Sequence, residues 1–438
     1  MSSKNICAMS KPLKPQIRFK GYDDEWQLKS LSDVCHSFKY GLNASATIFD
    51  GKHKYLRITD IDDDNNTFNK DDLTSPDISC FTDEYKLSVK DIVFARTGAS
   101  VGKTYLYDAN DGNVYWAGFL IRATVNQNYD ENFVFQNTLT NRYWRYIGIA
   151  SQRSGQPGVN ATEYGEFDFH VAPRITEQRE IGEYFKQIDT QIKEAEREVD
   201  RLEKMKIASL QKMFPRPGAT TPEIRFAGFS NPWKEMTFKE VYSSLKNNTL
   251  SRDCLNYNNG IAKNIHYGDV LIKFGAFVNP LSIDVPYVNS NVSLDRSSSY
   301  KLADGDVIFA DTAEDEAVGK CTEIRGVSDI DVVSGLHTIA VRPKFEFAPY
   351  YLGYYHNSNA YHFQLVPLMQ GVKVLSINRT AIADTMVAFP TSLDEQRAIG
   401  EYFRNLDELI AAKRKSIVKL RNIKKACLSK MFVNDTEL

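Results

Sequence analysis

The chain has no apolar run near the roughly 20 residues a membrane-spanning helix needs; its longest runs are short, such as Ile147-Gly-Ile-Ala150. Met1 to Ala8 holds one lysine and no apolar core, which argues against a secretory leader and for a cytoplasmic protein without membrane contact. A dominant charge is also missing. The 54 Lys and Arg nearly balance 56 Asp and Glu, for a net charge of -2. Such a chain does not grip nucleic acid alone through bulk positive charge, which leaves local basic faces or a basic partner as routes to it. Cysteine is sparse: Cys7, Cys35, Cys80, Cys254, Cys321 and Cys427 form no CxxC pair, and no Cys/His cluster has zinc spacing. Reduced, structural thiols and no bound metal are expected.

Catalytic signatures are absent as well. Gly98-Ala-Ser-Val-Gly-Lys-Thr104 is one residue short of the phosphate-binding spacing, reading GxxxGKT instead of GxxxxGKT. A glycine turn beside a basic residue suits a nucleic-acid phosphate better. There is no dinucleotide fingerprint, no HExxH, no GxSxG, and no Asn/Asp-Pro-Pro-Tyr/Phe run of the kind that amino-methylating enzymes use on bases. Asp60-Ile-Asp-Asp-Asp64 reads as a solvated turn before it reads as a metal site. No catalysis and no cofactor are expected of this chain.

What the sequence does contain is itself, twice. Hydrophobic residues at 42 % and charged residues at 25 % fit a soluble globular protein, and 438 residues exceed what one core usually serves. Pro15-Gln-Ile-Arg-Phe-Lys-Gly21 matches Pro222-Glu-Ile-Arg-Phe-Ala-Gly228, an offset of 207, and Trp26 falls on Trp233. Asp91-Ile-Val-Phe-Ala95 matches Asp306-Val-Ile-Phe-Ala310 at 215, and Gly102-Lys103 matches Gly319-Lys320 at 217. Glu177-Gln-Arg-Glu-Ile-Gly-Glu-Tyr-Phe185 matches Glu395-Gln-Arg-Ala-Ile-Gly-Glu-Tyr-Phe403 at 218, an offset that holds to Met213-Phe214 against Met431-Phe432. Order with so slow a drift marks an internal duplication. Residues 41–80 share little with 246–300. The copies therefore keep a scaffold and vary what it presents, as two surfaces reading different targets would.

Punctuation sets the boundaries: a tail over 1–14, a module over 15–173, a helix over 174–214, a linker over 215–221, a second module over 222–390, a second helix over 391–433 and a tail over 434–438. The first module mixes short strand-forming runs, Tyr55–Ile58, Ile92–Ala95, Thr104–Tyr107 and Phe119–Arg122, with one expected helix over Asn132–Ile147. The fold class expected is α+β, two mixed α/β modules each followed by a long helix. Thr176 is placed to cap the first helix, and Glu177 suits its positive end.

Both helices carry heptad stripes. The first runs Ile181, Phe185, Ile188, Ile192, Ala195, Val199 and Leu202, then weakens through Lys206 and Ser209 to Met213. The second runs Ile399, Phe403, Leu406, Ile410, Lys413, Ile417 and Leu420. From Thr176 to Phe214 a helix is about 58 Å long at about 1.5 Å per residue. A stripe of that length wants a partner. Packing of the two helices on each other is expected; periodicity alone does not fix their direction.

Asp91-Ile-Val-Phe-Ala-Arg-Thr-Gly-Ala-Ser-Val-Gly-Lys103, then Ser154-Gly-Gln-Pro-Gly-Val-Asn160, then Glu177-Gln-Arg-x-Ile-Gly182 resembles the specificity subunit of type I restriction-modification systems, with the resemblance running from about Pro15 to Phe432. The second copy departs from the pattern: Asp311-Thr-Ala-Glu-Asp-Glu-Ala-Val-Gly-Lys320 is more acidic, and Gln370-Gly-Val-Lys-Val-Leu-Ser-Ile-Asn378 lacks the proline. The resemblance implies two target-recognition domains, each reading one half of a split, asymmetric site in double-stranded DNA. It implies an antiparallel coiled coil of the two helices as spacer, and a pseudo-twofold chain. It implies two modification subunits as partners, using S-adenosylmethionine for adenine-N6 methylation, and restriction subunits using ATP and Mg. Base reading wants Arg, Lys, Asn or Gln near loops. The candidates are Arg96, Lys103, Gln152, Arg153 and Gln156 in the first module and Lys273, Lys320, Gln370, Lys373 and Arg379 in the second. Tyr115 and Trp116 are expected in the core.

Overall fold

The computed structural model describes residues 13–77, 83–282, 285–294 and 301–433. Most of both expected tails, and Cys7 and Cys80, lie outside the described residues. The chain divides into two compact units, Met1–Glu196 with Lys415–Leu438, and Arg197–Arg414. Each unit therefore holds a globular module, part of the helix Ile175–Lys212 and part of the helix Leu393–Lys430.

The first unit is built on a four-stranded antiparallel sheet in the order Cys35–Tyr40, Leu120–Val125, Asp91–Ala95, Thr104–Leu106. Asp91–Ala95 is buried along its whole length, as a run without polar alternation should be when both faces are covered. Asp91 is the exception in chemistry. Its carboxylate accepts from the Ser88 amide at 2.8 Å and the Thr124 hydroxyl at 2.6 Å, which closes the turn entering the strand. A ribbon of Gln27–Ser30 against Asp168–Val171 then leads the chain into the long helix. Two helices, Glu131–Asn137 and Asn141–Ala150, stand where one was expected over 132–147. The break is chemical: the Thr138 hydroxyl donates to the Phe135 carbonyl, and the Thr140 hydroxyl caps the second helix by accepting from the Tyr143 amide. Tyr115 and Trp116 are buried, as expected.

The second unit repeats the plan on a five-stranded sheet, in the order Tyr242–Ser244, Thr338–Pro343, Val307–Ala310, Cys321–Ile324, Phe277–Val278, antiparallel except for the last pair. Its entry ribbon pairs Lys234–Thr237 with Met386–Phe389. The divergent stretch 246–300 contributes strands to a separate four-stranded sheet, Leu255–Asn256, Tyr287–Val288, Lys263–Ile265 and Val332–Ser334.

The start of each long helix is tied to its module by the same chemistry. In the first unit Glu177 is gripped by Arg18, the Gln178 side chain accepts from the Asp130 amide and donates to the Ala172 carbonyl. In the second, Glu395 is gripped by Arg225, and Gln396 accepts from the Ala348 amide and donates to the Pro390 carbonyl. Gly182 and Gly400 follow for a steric reason. A Cβ at Gly182 would lie 2.3 Å from Asp130 Oδ1, and one at Gly400 2.4 Å from the Pro349 carbonyl oxygen. The first helix begins at Ile175, so Thr176 sits inside its first turn and is not the cap; in the second helix Ser392 does occupy that place and accepts from the Glu395 amide.

Ile181, Phe185, Ile188, Ile192, Val199, Leu202, Ile399, Phe403, Leu406 and Ile410 are buried, while Ile417 and Leu420 are half-buried. The two long helices pack on each other within each unit. In the first unit Phe185 meets Phe432, Lys424 pairs with Asp189 at 2.6 Å and Arg421 with Glu196 at 2.8 Å. In the second, Arg414 pairs with Glu203 at 2.5 Å, Lys206 with Asp407 at 2.5 Å, and Phe214 stacks on Phe403. Residue numbers fall on one helix as they rise on the other, so the segments run in opposite directions in both units. The weak end of the first stripe is polar by design: Lys206 reaches Asp407, and the Ser209 hydroxyl meets Tyr402 at 3.1 Å. Ile181 and Phe185 also join the core of the first module, and Ile399 and Phe403 that of the second.

Candidate nucleic-acid interface

Two glycine turns far apart in sequence meet at one edge of the first module. The strand Asp91–Ala95 ends in Arg96-Thr97, and a short 3-10 turn over Gly98–Ser100 reverses the chain. Gly98 and Gly102 have φ of 76° and 90°, the left-handed region where a side chain is strained. The turn is closed by the Ala95 amide to the Lys103 carbonyl at 2.8 Å and the Gly102 amide to the Ala95 carbonyl at 3.0 Å. The second turn, 154–160, docks onto it: Thr97 bridges Gly158, the Gly98 amide donates to the Pro157 carbonyl at 3.0 Å and the Val159 amide to the Arg96 carbonyl at 2.9 Å. Two tyrosines fix the pair from beneath. The Tyr143 hydroxyl donates to the Gly102 carbonyl at 2.9 Å and the Tyr164 hydroxyl to the Ala95 carbonyl at 2.6 Å. Burial pushes both phenols well above their ordinary pKa, so both stay protonated donors.

The second module assembles the same junction from different residues. The Ala310 amide donates to the Lys320 carbonyl and the Gly319 amide to the Ala310 carbonyl, both at 2.9 Å. The Ile377 amide donates to the Asp311 carbonyl at 2.9 Å, and Thr312–Ala313 pairs with Leu375–Ser376. Where the first module has a proline loop, Gln370 to Ser376 is a hairpin closed by two amide–carbonyl bonds of 2.9 and 2.8 Å. A short helix follows each second turn, capped by Asn160 and Asn378 in turn.

The candidate side chains divide by what holds them. Gln152, Arg153 and Gln156 are exposed on the second turn of the first module; Arg153 donates to the Ala150 and Gln152 carbonyls and pairs with Glu163. Arg96 lies with its guanidinium carbon 5.0 Å from the ring centre of Tyr40 and 5.8 Å from that of Phe119. Its Nε is buried without a hydrogen-bond partner. Lys103 turns inward to pair with Asp63. In the second module Gln370 and Lys373 are exposed on the hairpin, and Lys273 lies over the Tyr257 ring at 5.1 Å. Lys320 and Arg379 are half-buried. Lys320 donates to the Leu271 carbonyl at 2.6 Å and Arg379 to the Leu245 carbonyl at 2.7 Å; burial lowers the pKa of both.

Sequence reasoning overlooked Tyr40 and Phe119, because Phe119 reads as the first apolar residue of a strand. It is 60 % exposed, just ahead of that strand. The acidic run 60–64 is also more varied than a solvated turn. Asp60 is buried against Arg57, the Asp62 side chain accepts from the Asp64 and Asn65 amides, and Asp64 pairs with Arg421. Among the described residues no group of three His, Cys, Asp or Glu is placed to hold a metal ion, and no helix is long and apolar enough to cross a membrane. Cys35, Cys254, Cys321 and Cys427 are free thiols, and burial pushes that of Cys35 up to about 12.

Residues 23–204 match the model of the type I restriction modification DNA specificity domain. A putative type I restriction enzyme MjaX specificity subunit from Methanocaldococcus jannaschii is 29 % identical over 138 residues, 31 % of this chain and 32 % of that protein. The match thus spans about a third of that relative's length. Two solved structures share the fold. The type I restriction-modification S subunit from M. genitalium aligns with a TM-score of 0.57 at 13 % identity, over 97 % of this chain and 100 % of its own. A chain from a study of assembly and conformational transition of the type I R-M system aligns at 0.52 and 15 % identity, over 95 % of this chain and 99 % of its own.

Proposed function

We propose, from the premise that the chain belongs to the family of type I restriction-modification specificity subunits, that it is the non-catalytic component that reads DNA sequence for such a complex. Residues 15–173 and 222–390 are two target-recognition domains. Each reads one half of a split, asymmetric site, and the antiparallel helices 174–214 and 391–433 hold the gap between the halves. The two domains descend from one module, and their pseudo-twofold repetition offers two modification subunits equivalent docking faces. Those subunits supply S-adenosylmethionine-dependent adenine-N6 methylation. Restriction subunits, where they join, bring the chemistry that needs ATP and Mg. Arg96, Gln152, Arg153, Gln156, Lys273, Gln370 and Lys373 supply DNA contacts, whereas Lys103, Lys320 and Arg379 are spent on partners inside their own modules and brace the turns; the complex works in the cytoplasm.

The observation that carries this reading is the junction of two turns. Its backbone bonds recur in both modules at matched sequence positions, while its side chains change: Arg96 falls on Asp311, Arg153 on Gly371 and Gln156 on Val374, and Lys373 has no basic counterpart. A scaffold conserved in geometry and varied in hydrogen-bonding chemistry suits two readers of different base sequences. Near-neutral net charge fits as well, since partner subunits share phosphate neutralisation.

Exchange of residues 15–173 for the corresponding module of a related subunit, followed by methylome sequencing of the host, tests it. One half of the methylated motif changes and the other stays. A motif altered in both halves, or no split motif at all, overturns the assignment.

A further inference from the structure

Arg96 and Asp311 occupy one structural position with opposite charge. Each follows the buried central strand, and each carbonyl accepts an amide from the second turn at 2.9 Å, from Val159 and Ile377 respectively. We propose that this position selects a base in each half-site and that its charge sets the polarity of the base read: guanine by Arg96, cytosine by Asp311. The inference rests on the chain being a DNA sequence reader and says which residue discriminates.

The case for Arg96 is its setting. Other part-buried arginines of this chain find a carboxylate, as Arg18, Arg57 and Arg225 do. Among the described residues none pairs with Arg96. Two aromatic rings flank its guanidinium instead, Tyr40 at 44 % exposure and Phe119 at 60 %. Flanking rings hold a guanidinium flat and leave its terminal N–H groups unspent. The Tyr40 ring is itself held, since its hydroxyl accepts from the Ala161 amide at 3.3 Å. A flat fork of donors, fixed in direction and lacking an acceptor, matches the O6 and N7 acceptors on the major-groove edge of guanine. Tyr40 and Phe119 are positioning residues for it.

Asp311 has the complementary design. The Thr312 hydroxyl donates to its Oδ1 at 2.8 Å, and His337 Nδ1 lies 3.3 Å from the same oxygen. Both side-chain contacts fall on Oδ1, which leaves Oδ2 to accept. A carboxylate has no donor to offer guanine N7 or O6, but it accepts from the N4 amino group of cytosine.

The test uses the full chain assembled with its modification subunits, methylating a duplex pool randomised at both half-sites. Wild type returns one preferred sequence for each half. Arg96→Ala relaxes a single guanine position of the first half by about 5- to 150-fold, the value of one two-pronged base contact. Arg96→Lys restores overall methylation but only part of that preference, because an ammonium can donate to O6 and N7 but is not a flat fork held between two rings. Tyr40→Phe, which keeps the ring and loses only its bond to the Ala161 amide, retains most of the preference, and Tyr40→Ala weakens it further. Asp311→Asn relaxes one cytosine of the second half and admits adenine, the base an amide recognises. A second arm needs no variant: 7-deazaguanine replaces each guanine of the first half in turn, and wild type loses methylation at one of them. Loss by Arg96→Ala that is uniform across all sequences, or indifference to 7-deazaguanine everywhere, overturns the guanine assignment. No shifted position in Asp311→Asn overturns the inversion. A wild-type complex without any base preference would sink the parent reading, and it is recognised by that alone.

Discussion

Arg225 and Glu395 are joined by two parallel hydrogen bonds, Nε to Oε1 at 2.6 Å and Nη2 to Oε2 at 2.8 Å; Arg18 and Glu177 repeat the pair at the same two distances. Glu395 is 1 % exposed, so its charge is tolerable only while the guanidinium and the Trp233 indole N–H at 3.2 Å satisfy it. Removal of one partner from such a pair typically costs about 3–5 kcal/mol. Arg225→Ala should therefore destabilise the second unit by that order in urea denaturation, and Arg18→Ala the first. A loss below about 1 kcal/mol in either would mean that the pair does not fasten helix to module.

Two glycine substitutions should act in opposite directions. A methyl at Gly400 meets the Pro349 carbonyl oxygen at 2.4 Å, backbone that cannot swing aside. Gly400→Ala should cost about 1–3 kcal/mol by overpacking. Gly148 lies inside the helix Asn141–Ala150 with nothing within 4 Å of an added methyl. Gly148→Ala should stabilise by about 0.5–1 kcal/mol through helix propensity alone. Thermal melts of both proteins check the pair, and equal effects would discredit the steric account.

These glycines also show what the sequence made legible. Recurrence of Glu-Gln-Arg-x-Ile-Gly marks a constant junction, and the structure gives its Glu, Gln, Ile and Gly each a reason of its own. The helix stripes were legible because burial against a partner leaves a heptad trace, down to Leu202 and Ile410. Beyond Leu202 the first helix meets the second through Lys206–Asp407 and Ser209–Tyr402, pairs that no apolar periodicity records. The junction of the two turns was half legible: glycine and proline announce each turn, but nothing local says that Thr97 meets Gly158 some 60 positions later. The inward turn of Lys103 toward Asp63, and of Arg379 toward Leu245, depends on tertiary neighbours and left no signal either.

Acid should weaken the second unit through His356. Its ring is fully buried, 2.6 Å from the Tyr242 hydroxyl, and burial pushes its pKa down to about 3. The unfolded chain, with an ordinary histidine value near about 6.5, binds the proton that the folded chain refuses. Stability from this group is therefore complete above about pH 6.5 and falls by about 1.4 kcal/mol per pH unit as pH drops toward 3. His356→Gln keeps a hydrogen-bonding group without titrating. Between pH 7 and 5 its stability should fall less than that of wild type, by about 2 kcal/mol. Parallel profiles for the two proteins would show that His356 is not the acid-sensitive group.

The proposed spacer role of the two long helices is tested by length. One heptad inserted after Leu202 and another after Leu420 leave equal stretches on both helices between the ion pairs Glu196–Arg421 and Glu203–Arg414, so the facing register survives. A heptad adds about 10.5 Å at about 1.5 Å per residue. DNA advances about 3.4 Å per base pair, so one heptad projects to at most about three base pairs, fewer if the helix and DNA axes are inclined. Rotation is the harder constraint. Three base pairs turn the duplex by roughly a third of a turn at about ten per turn, while a heptad barely rotates a supercoiled pair. On the proposed function, the two modules would then face the wrong side of the duplex unless the DNA twists or a linker yields. The expected outcome is weaker methylation on a site with unchanged halves and a longer gap. Insertion of four residues in place of seven breaks the seam and should damage assembly as well. The measurement is methylation of a duplex library with both halves fixed and the gap varied one base pair at a time. If a soluble, assembled heptad variant keeps the original optimum gap, the helices are not the ruler, and the buried stripe from Ile188 to Leu202 serves stability alone.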